Sequence, residues 1–372
     1  MASIQKRKGK KRTTYQYTIS HKSLKAPLRK GGFRTSGEAK AAAAEIEIQL
    51  NKGIIPFLKP APFDEYFDNW VKLYKNDLKT ATLKHYKYTY DRIKEYFSNK
   101  SLQDITTEDY QMFLNQLGSG RSKETVEKVH GHVRACVLDA VDEQIIPRDF
   151  TRKGKLKFTV LPKESSEKHL NYHDSILLLN ELKKRLKKDL GYYLLLLGLT
   201  TGLRFEELVG LTFGDFDFTK NTINIDKTWG YNNRMVSGFG ETKNKQSIRT
   251  VTLDQMTMDL FKNLFATIPD NANHLIFYNQ RSKYKVISNE HANKLLKELL
   301  LDLKIRPLIT MHGLRHTHGS ILLYKKASVQ YVSERLGHQD IETTLKRYAH
   351  LLEESREEYN QLAINTFKEM YN

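Results

Sequence analysis

Hydrophobic positions recur in different ways along the chain and divide it into three blocks. In the first block, residues 1–58, the segment Tyr15–Ser20 alternates apolar and polar side chains, as a half-buried strand does. Gly31–Gly32 predicts a turn into another short strand. Ser36 is placed to cap a helix that ends at Gly53. A small β-sheet packed by one helix fits this block.

The second block, residues 63–150, has apolar side chains at helical spacing throughout. Phe63, Phe67 and Trp70 recur three and four positions apart, which predicts an amphipathic helix, and further helices follow in the same way. The aromatic stripe is interpreted as core rather than as a surface that stacks on bases. The basic, apolar-poor segment 147–162 is expected to be a linker.

The third block, residues 166–372, mixes helical and strand patterns. Tyr192–Thr201 is apolar nearly throughout and predicts a buried helix. Thr222–Asp226 and Thr250–Leu253 alternate as strands, and the pattern is helical from Ser288 to the end.

The three blocks together predict a multidomain α+β fold. The boundaries are 1–58 for a small β-sheet with one helix, 63–150 for an all-helical domain, and 166–372 for a mainly helical domain with a small β-sheet. A proline-rich linker joins the first two domains at Pro56, Pro60 and Pro62.

The charge of the chain indicates a polyanionic partner. It holds 61 Lys and Arg against 43 Asp and Glu, a net charge of +18. Residues 1–35 are the most basic segment and contain no acidic side chain. Such a segment binds phosphate or stays disordered, and nucleic acid is the simplest partner. We predict DNA contacts from nine of its cations: Lys6, Arg7, Lys8, Lys10, Lys11, Arg12, Arg29, Lys30 and Arg34.

Other features bear on the cellular compartment. The single cysteine, Cys136, excludes an intramolecular disulfide and favours a reducing environment. The longest apolar run, Tyr192–Leu199, is far too short to span a bilayer. The basic N-terminus is not followed by the apolar region of a signal peptide. We therefore expect a cytoplasmic protein that does not enter a membrane.

Two arginines, two histidines and a tyrosine in the third block form the set that attacks a phosphodiester without metal. Arg204 lies in Thr-Gly-Leu-Arg, His312 and Arg315 in His-x-x-Arg, His338 in Leu-Gly-His, and Tyr348 follows. Guanidinium groups match phosphate oxygens bidentately. A tyrosine becomes a nucleophile when a base takes its proton.

These motifs, in this order and with Tyr348 ten positions after His338, resemble the signature of the tyrosine recombinases, or phage-type integrases. The resemblance covers most of residues 63–372. The basic first block resembles the arm-binding domain of integrases of phages and conjugative transposons, and residues 63–150 then correspond to the domain that binds the core site.

The resemblance implies a site-specific DNA recombinase with the tyrosine recombinase fold. Such an enzyme integrates and excises a mobile element by cutting and rejoining DNA through a 3′-phosphotyrosyl intermediate, without a cofactor. The implied partners are double-stranded DNA at core and arm sites and three further copies of the chain in a tetramer on DNA. An excisionase and a host DNA-bending protein are compatible accessory partners.

The resemblance also implies roles for the motif residues. Arg204 and Arg315 hold the non-bridging oxygens of the scissile phosphate. Tyr348 is the nucleophile, His312 accepts its proton or holds the phosphate, and His338 hydrogen-bonds the phosphate. Taken singly, each histidine is equally compatible with a structural role.

Two further residues complete the predicted site. Glu207 lies three positions after Arg204 on a predicted helix, so the two share a face, and Glu207 either supports the site or forms a surface ion pair. The resemblance implies a general-acid lysine on a β-hairpin. We interpret the polar segment Lys243–Ser247 as the hairpin between the two predicted strands, and we choose Lys243 because these strands flank it. Lys245 is the alternative, and either lysine could instead be a solvated surface charge.

A metal reading of the histidines is disfavoured. His312, His316 and His318 are closely spaced, as zinc ligands on a helix are. No glutamate lies among them to act as a general base, and Arg315 would repel a cation. We therefore predict no metal.

The tail after Tyr348 has a broad apolar face that predicts packing on a neighbouring protomer or on its own domain. Its apolar residues are Leu351, Leu352, Tyr359, Leu362, Ala363, Phe367 and Met370.

Two other functions remain open. A phosphotyrosine-forming topoisomerase is disfavoured by the extra basic domain. A non-catalytic DNA-binding regulator would explain the charge but not the spacing of Arg204, Arg315 and Tyr348.

Overall fold

The computed structural model describes residues 2–8, 13–22, 24, 26–51, 62–98, 100–162, 164–232, 235, 237–354 and 356–371, without the side chains of 165, 349–354 and 356–359. It contains two compact units, Met1–Pro162 and Lys163–Asn372. Both mix helices with small sheets, which confirms the predicted α+β class. In the part of the chain described, no helix is both long and apolar enough to cross a membrane.

The first unit begins with a three-stranded antiparallel sheet and one helix. The strands are β1 (Ser3–Lys8), β2 (Thr13–Ile19) and β3 (Leu28–Phe33), in that spatial order, and the helix is α1 (Ser36–Asn51). The alternation around Tyr15–Ser20 is confirmed, because Tyr17 and Ile19 are buried against Ala43 and Leu50 of α1. Strand β1 was missed because its sequence, Ser-Ile-Gln-Lys-Arg-Lys, is polar at five of its six positions.

One local prediction in this sheet was wrong. Gly31 and Gly32 lie inside β3 rather than in a turn, beside a register shift at Tyr15–Gln16. A Cβ on Gly31 would come within 3.2 Å of Gln16 Cβ, and Gly32 has φ of +97°, so the bulge rather than a turn requires these glycines.

The cap of α1 was also misplaced by one residue. The hydroxyl of Thr35, not Ser36, accepts the Glu38 N–H at 3.1 Å, and the Glu38 carboxylate accepts the Arg34 N–H at 3.0 Å. The predicted end at Gly53 and the linker prolines Pro56 and Pro60 lie outside the described residues.

The rest of the first unit is helical, as the block 63–150 predicted. Its helices are α2 (Phe63–Tyr74), α3 (Thr80–Phe97), α4 (Thr107–Gly118) and α5 (Lys123–Asp142). The aromatic stripe is core: Phe63 and Phe67 are fully buried, and Trp70 donates from Nε1 to Asp139 at 2.6 Å. Segment 147–162 is not a free linker, because the Lys155 backbone exchanges two hydrogen bonds with the Gln111 side chain on α4.

The second unit is built around a buried apolar helix. Its helices are α6 (Tyr172–Arg185), α7 (Leu190–Thr201), α8 (Phe205–Val209), α9 (Gln255–Phe265), α10 (Asn289–Asp302), α11 (Met311–Tyr324), α12 (Val329–Leu336), α13 (Ile341–Glu354) and α14 (Arg356–Met370). Helix α7 is apolar nearly all round and packs against α6, α10 and α11, as the segment Tyr192–Thr201 predicted.

Two small sheets lie beside these helices. Strands β4 (Phe216–Asp217), β5 (Thr222–Ile225) and β8 (Arg249–Thr252) form one antiparallel sheet, and β6 (Lys227–Trp229) pairs with β7 (Phe239–Glu241) in a hairpin. The two predicted strands are β5 and β8. The hairpin between them was missed, because three-residue strands are too short to show alternation. The prediction that residues 243–247 form the hairpin between the two predicted strands was therefore wrong, because these residues connect β7 to β8.

Helix α14 carries exposed apolar side chains. Leu362 is 61 % exposed, Phe367 62 % and Met370 75 %. Ala363 is also exposed, and the side chains of Leu351, Leu352 and Tyr359 lie outside the description.

Candidate active site

The predicted site residues are positioned by the ends of α7 and α12 and by the buried face of α11. Helix α7 ends at Gly202, which has φ of +69°, so the chain turns sharply and Arg204 precedes α8. A Cβ on Gly202 would lie 2.8 Å from the His318 ring, so only glycine fits between α7 and α11. Gly337 ends α12 and is followed directly by His338.

The guanidinium of Arg204 is held on one side and open on the other. Nη1 donates to Glu207 Oε1 at 2.6 Å and to Ser247 Oγ at 3.2 Å, and Nη2 donates to the Gly337 carbonyl at 2.9 Å. Among the described residues, Nε and the second hydrogen of Nη2 have no acceptor. That edge matches two oxygens of a phosphate.

Glu207 is a buried carboxylate and not a surface ion pair. It is 1 % exposed and receives Arg204 from one side and Arg249 from the other, with Arg249 Nη2 at 3.0 Å from Oε2. Burial raises the pKa of this carboxyl, but the charges of Arg249 and Arg204 outweigh burial and hold the pKa below its usual value. Glu207 therefore stays ionised and fixes the Arg204 side chain.

Arg315 is almost completely buried with one nitrogen unpaired. It is 2 % exposed on α11, and Nη1 donates to the Gly202 carbonyl at 2.8 Å. Nη2 is buried without a hydrogen-bond partner in the protein. Burial lowers the pKa of this guanidinium, with a further contribution from Arg204. A buried cation with a free donor calls for an anionic ligand.

His338 presents a second unpaired nitrogen. Its Nδ1 lies 2.7 Å from Thr344 Oγ1, whereas its Nε2 is buried without a partner in the protein. Burial, followed by the charge of Arg315, lowers its pKa to about 3, so the ring is neutral at pH 7. A neutral ring that donates from Nε2 can hydrogen-bond a phosphate oxygen.

His312 lies at the edge of a cleft that it shares with Arg204. The cleft has a volume of about 390 Å³, and its wall includes Phe205 and Tyr231, whose rings meet edge to face at 4.7 Å. Burial lowers the pKa of His312 to about 4, and the positive charges of Arg315 and, more weakly, Lys243 contribute. His312 is thus a neutral base at pH 7.

Lys243 is exposed in the connection between β7 and β8. Its positive charge contributes to the lowered pKa of His312. Lys245 begins the short 3₁₀ turn that Asn244 caps by accepting the Ser247 N–H at 2.9 Å. Both lysines therefore lie in the connection between β7 and β8, where the general acid was predicted.

Tyr348 is buried against α11 and α12. It is 1 % exposed and packs with Leu323, Val332 and Leu336, and its hydroxyl donates to the His316 carbonyl at 3.3 Å. Burial raises the pKa of this phenol to about 12. The structure therefore brings Arg204, Arg315, His312 and His338 together, while Tyr348 occupies an apolar seat, defined here as Leu323, Val332, Leu336 and Gly319.

The other two histidines of α11 do not form a metal site. His318 Nδ1 lies 2.9 Å from the Leu199 carbonyl, and its Nε2 accepts Arg335 Nε at 3.0 Å, so this ring is a neutral structural link. The rings of His312 and His316 meet edge to face at 4.6 Å. Within the described ranges, no three His, Cys, Asp or Glu side chains are grouped to hold a metal ion.

The sheet of the first unit presents the predicted DNA-contacting cations. Lys6, Arg7 and Lys8 on β1, Arg29 and Lys30 on β3, and Arg34 after it are all exposed. The register pairs Arg7 with Thr14 and Arg29 with Thr18, which places both arginines on the face opposite Tyr17 and the α1 core. Lys10, Lys11 and Arg12 lie outside the described residues.

Arg249 is the functional candidate that the sequence motifs missed. It lies two positions before the buried Val251 on β8, so the two side chains share the inner face of the strand and a charged residue occupies an interior position. That departure from the apolar pattern was the available signal.

Known proteins with similar sequences include integrases and tyrosine recombinases. The profile of the phage integrase family matches residues 168–355, and that of the phage integrase N-terminal SAM-like domain matches residues 62–118. The integrase of Staphylococcus phage L54a is 26 % identical over 347 residues, which span 85 % of this chain and 96 % of that protein. The ICEBs1 integrase of Bacillus subtilis is 25 % identical over 302 residues, 76 % of this chain and 77 % of its own.

Known structures with the same fold are DNA complexes of recombinases. The Tn1549 transposon integrase in complex with a circular intermediate DNA has a TM-score of 0.67 at 17 % identity and covers 81 % of this chain and 99 % of its own. A lambda integrase tetramer bound to a Holliday junction has a TM-score of 0.57 at 14 % identity, covering 87 % and 93 %. The similarity confirms the predicted tyrosine recombinase fold.

The family match spans half of the chain, and the matched residues include Arg204, Arg315 and Tyr348. The resemblance inferred from the motifs is thereby confirmed. The chain belongs to the phage integrase family and is a tyrosine-type site-specific DNA recombinase.

Proposed function

We propose that Tyr348 cuts and rejoins double-stranded DNA through a 3′-phosphotyrosyl bond and that the reaction integrates and excises a mobile element. The observation that carries this proposal is the pair of buried, unpaired donors, Arg315 Nη2 and His338 Nε2, beside the open edge of Arg204. Donors prearranged around one point suit the charge of a phosphate in transfer.

The chemistry needs one attack and one proton donation in each direction. The Tyr348 oxygen bonds to phosphorus while its proton passes to neutral His312, and the bond from phosphorus to the 5′-oxygen breaks. Lys243 gives that oxygen its proton. A 5′-hydroxyl of the partner duplex then attacks the phosphotyrosine and gives its proton to Lys243. The bond from phosphorus to the Tyr348 oxygen breaks, and His312 returns the proton to that oxygen. One phosphodiester is exchanged for another, so no cofactor is required.

Tyr348 has to leave its apolar seat before it attacks. Its hydroxyl donates to the His316 carbonyl. Helix α13 carries Tyr348, so a shift of α13 on DNA is the simplest way to deliver the hydroxyl to the phosphate. The raised pKa, about 12, also requires the nearby guanidinium groups and a base to activate the phenol once it has moved.

The organisation of the chain supports two classes of DNA site. We assign residues 1–58 to arm-type sites, 63–150 to core-site binding and 166–372 to catalysis. The exposed Arg7 and Arg29 on the free face of the first sheet support arm binding, since a small sheet can enter the major groove. Exposed lysines and arginines on α2–α5 are the candidates for core contacts.

A homotetramer on two duplexes fits the exchange of two strand pairs. The exposed apolar face of α14, including Leu362 and Phe367, is proposed to pack on a neighbouring protomer. An excisionase and a host DNA-bending protein are proposed as accessory partners, and the cytoplasm is the proposed location. The lambda integrase tetramer on a Holliday junction is the structural precedent for such an assembly.

Trapping on nicked DNA tests the proposed chemistry. A nick close to the scissile phosphate lets the cleaved strand diffuse away, so the wild-type protein should accumulate as a covalent adduct that survives denaturation. Tyr348→Phe removes only the attacking oxygen and should bind DNA without forming the adduct. An adduct with that variant would show that another residue is the nucleophile.

A two-site assay distinguishes recombination from relaxation of supercoils. A recombinase joins two attachment sites and leaves plasmids without such a site supercoiled. Relaxation of any supercoiled plasmid, with no exchange between sites, would instead favour the topoisomerase.

A further inference from the structure

Arg249 ties together three parts of the catalytic unit. From β8, its Nη1 and Nη2 bind the two carboxylate oxygens of Glu207 at 3.3 and 3.0 Å. Its Nε donates to the Arg335 carbonyl at 2.8 Å, and Nη1 donates to the Ser247 carbonyl at 2.7 Å. A Cβ on Gly337 would lie 3.0 Å from Nη1, so the guanidinium also rests against the turn that precedes His338.

We propose that Arg249 is a positioning residue for DNA cleavage, which clamps Glu207 and the Leu336–His338 turn together and so fixes Arg204 and His338 around the scissile phosphate. The proposal rests on the function proposed above for this site. It adds a residue that acts through its neighbours rather than by touching DNA.

The hydrogen bonds of Arg249 indicate that it holds other side chains in place and does not bind phosphate. Four of its five N–H groups are used within the protein, and its side chain is 8 % exposed. Arg204 differs, since it keeps one edge open. Both arginines bind Glu207, but Arg249 holds the carboxylate in place, whereas Arg204 also has donors for the substrate.

Glu207 is buried, so it stays ionised only because positively charged side chains surround it. Arg204 approaches from the start of α8, Arg249 from β8 and Arg315 from α11, and burial of the carboxylate opposes its ionisation. Arg249 is the largest of the three stabilising influences. Without Arg249, the pKa of Glu207 rises, and a protonated Glu207 holds the Arg204 guanidinium less firmly.

A shift of the Arg204 side chain affects catalysis because the phosphate contacts depend on its exact position. Arg204 Nη2 binds the Gly337 carbonyl, so a shift of Arg204 disturbs the His338 turn as well. Displacements of about 1 Å in a catalytic group can cost about 10²-fold in rate. Arg249 therefore influences two phosphate contacts at once.

Single-turnover cleavage of nicked DNA by the full chain at a series of pH values tests the proposal. Arg249→Gln should slow cleavage on the order of 10²-fold near pH 7. Its rate relative to wild type should fall further as pH decreases, because Glu207 then takes up a proton. Arg249→Lys keeps the charge but not the fork, so it should lose less activity and keep the wild-type pH profile.

Two further variants separate the clamp from general damage. In Glu207→Gln the side chain no longer titrates, so adding Arg249→Gln to it should produce no new pH dependence. Arg335→Gln is the matched control: Arg335 braces α12 through His318 and Thr252 but does not contact Glu207. It should leave the shape of the pH profile unchanged, whatever its effect on the rate.

The outcomes are distinguishable. An Arg249→Gln variant that cleaves at the wild-type rate, or one that loses activity equally at every pH, overturns the positioning role. Should Arg249→Gln fail to fold, Arg249→Lys decides: bound DNA with cleavage slowed several-fold supports the clamp, and unchanged cleavage overturns it. If wild-type protein forms no adduct on any nicked substrate, the proposed function fails instead. The clamp would then still appear as coupling between Glu207 and Arg249 in thermal unfolding without DNA, and additive losses in that cycle would refute it.

Discussion

Gly319 is expected to be the one position on α11 where an added methyl group competes directly with the nucleophile. A Cβ on Gly319 would lie 2.3 Å from the Tyr348 hydroxyl oxygen and 2.6 Å from Cζ. Ordinary contacts of a Cβ begin near 3.4 Å. Gly319→Ala therefore forces the ring to retreat by about 1 Å or to leave the apolar seat.

The magnitude follows from the packing. Adding a methylene to a well-packed core costs about 1–3 kcal/mol. Losing the burial of a large side chain altogether costs about 1.5–3 kcal/mol. Tyr348 is 1 % exposed, so the cost is similar whether the ring stays in a strained position or leaves the apolar seat. Gly319→Ala should therefore destabilise the catalytic unit by about 1–3 kcal/mol.

A double-mutant cycle, measured by unfolding in urea, tests whether the loss of stability comes from the contact with Tyr348. Tyr348→Ala vacates the seat and identifies the unfolding transition that reports on it. In that background, Gly319→Ala should cost less than about 0.5 kcal/mol, so the coupling between the two sites should nearly equal the whole effect.

Gly313→Ala provides the matched control on the same helix. A Cβ at Gly313 would lie 2.7 Å from Ile309 Cβ, so it is equally crowded, but not by Tyr348. Its cost should be unchanged by Tyr348→Ala. If Gly319→Ala costs the same with and without Tyr348, the description of the apolar seat is wrong.

Three further predictions concern function. Lys243→Ala should slow cleavage of normal DNA far more than cleavage of a substrate with a 5′-bridging phosphorothiolate, because a sulfur leaving group needs no proton. Lys245→Ala serves as control, and equal slowing of both substrates by Lys243→Ala would exclude it as the acid. Deleting residues 1–58 should preserve cleavage at the core site but weaken integration on full attachment DNA, and binding of the isolated segment to arm DNA should fall steeply with salt; no binding at low salt would contradict this. Truncation near residue 353 should leave DNA binding intact and abolish synaptic complexes in native gels, and normal tetramers from the truncated protein would rule out the role of the tail.

The sequence motifs identified the four side chains that the structure brings together, Arg204, His312, Arg315 and His338, because short motifs fix local geometry. Thr-Gly-Leu-Arg204 places a glycine where α7 must end, and His312 and Arg315 fall on one helix three positions apart. These constraints are local, so they can be read without a structure.

The remainder depends on packing between distant elements. The position of Tyr348 is set by the contact of α13 with α11, and no spacing in the sequence encodes it. Arg249 lies on a four-residue strand without a motif, and its partner Glu207 is more than forty positions away. Strands β6 and β7 have three residues each, too few for an alternating pattern to show.

The burial of α7 has a consequence for the way the enzyme can move. Helix α7 lies in the hydrophobic core of the second unit, and its last turn leads directly to Arg204. Its amide hydrogens should therefore exchange with solvent only when the whole unit unfolds, whereas those of α14, with exposed apolar side chains, should exchange by local opening. The turn that holds Arg204 is therefore anchored in the most stable part of the unit, whereas α14 can detach and return without any change at that turn.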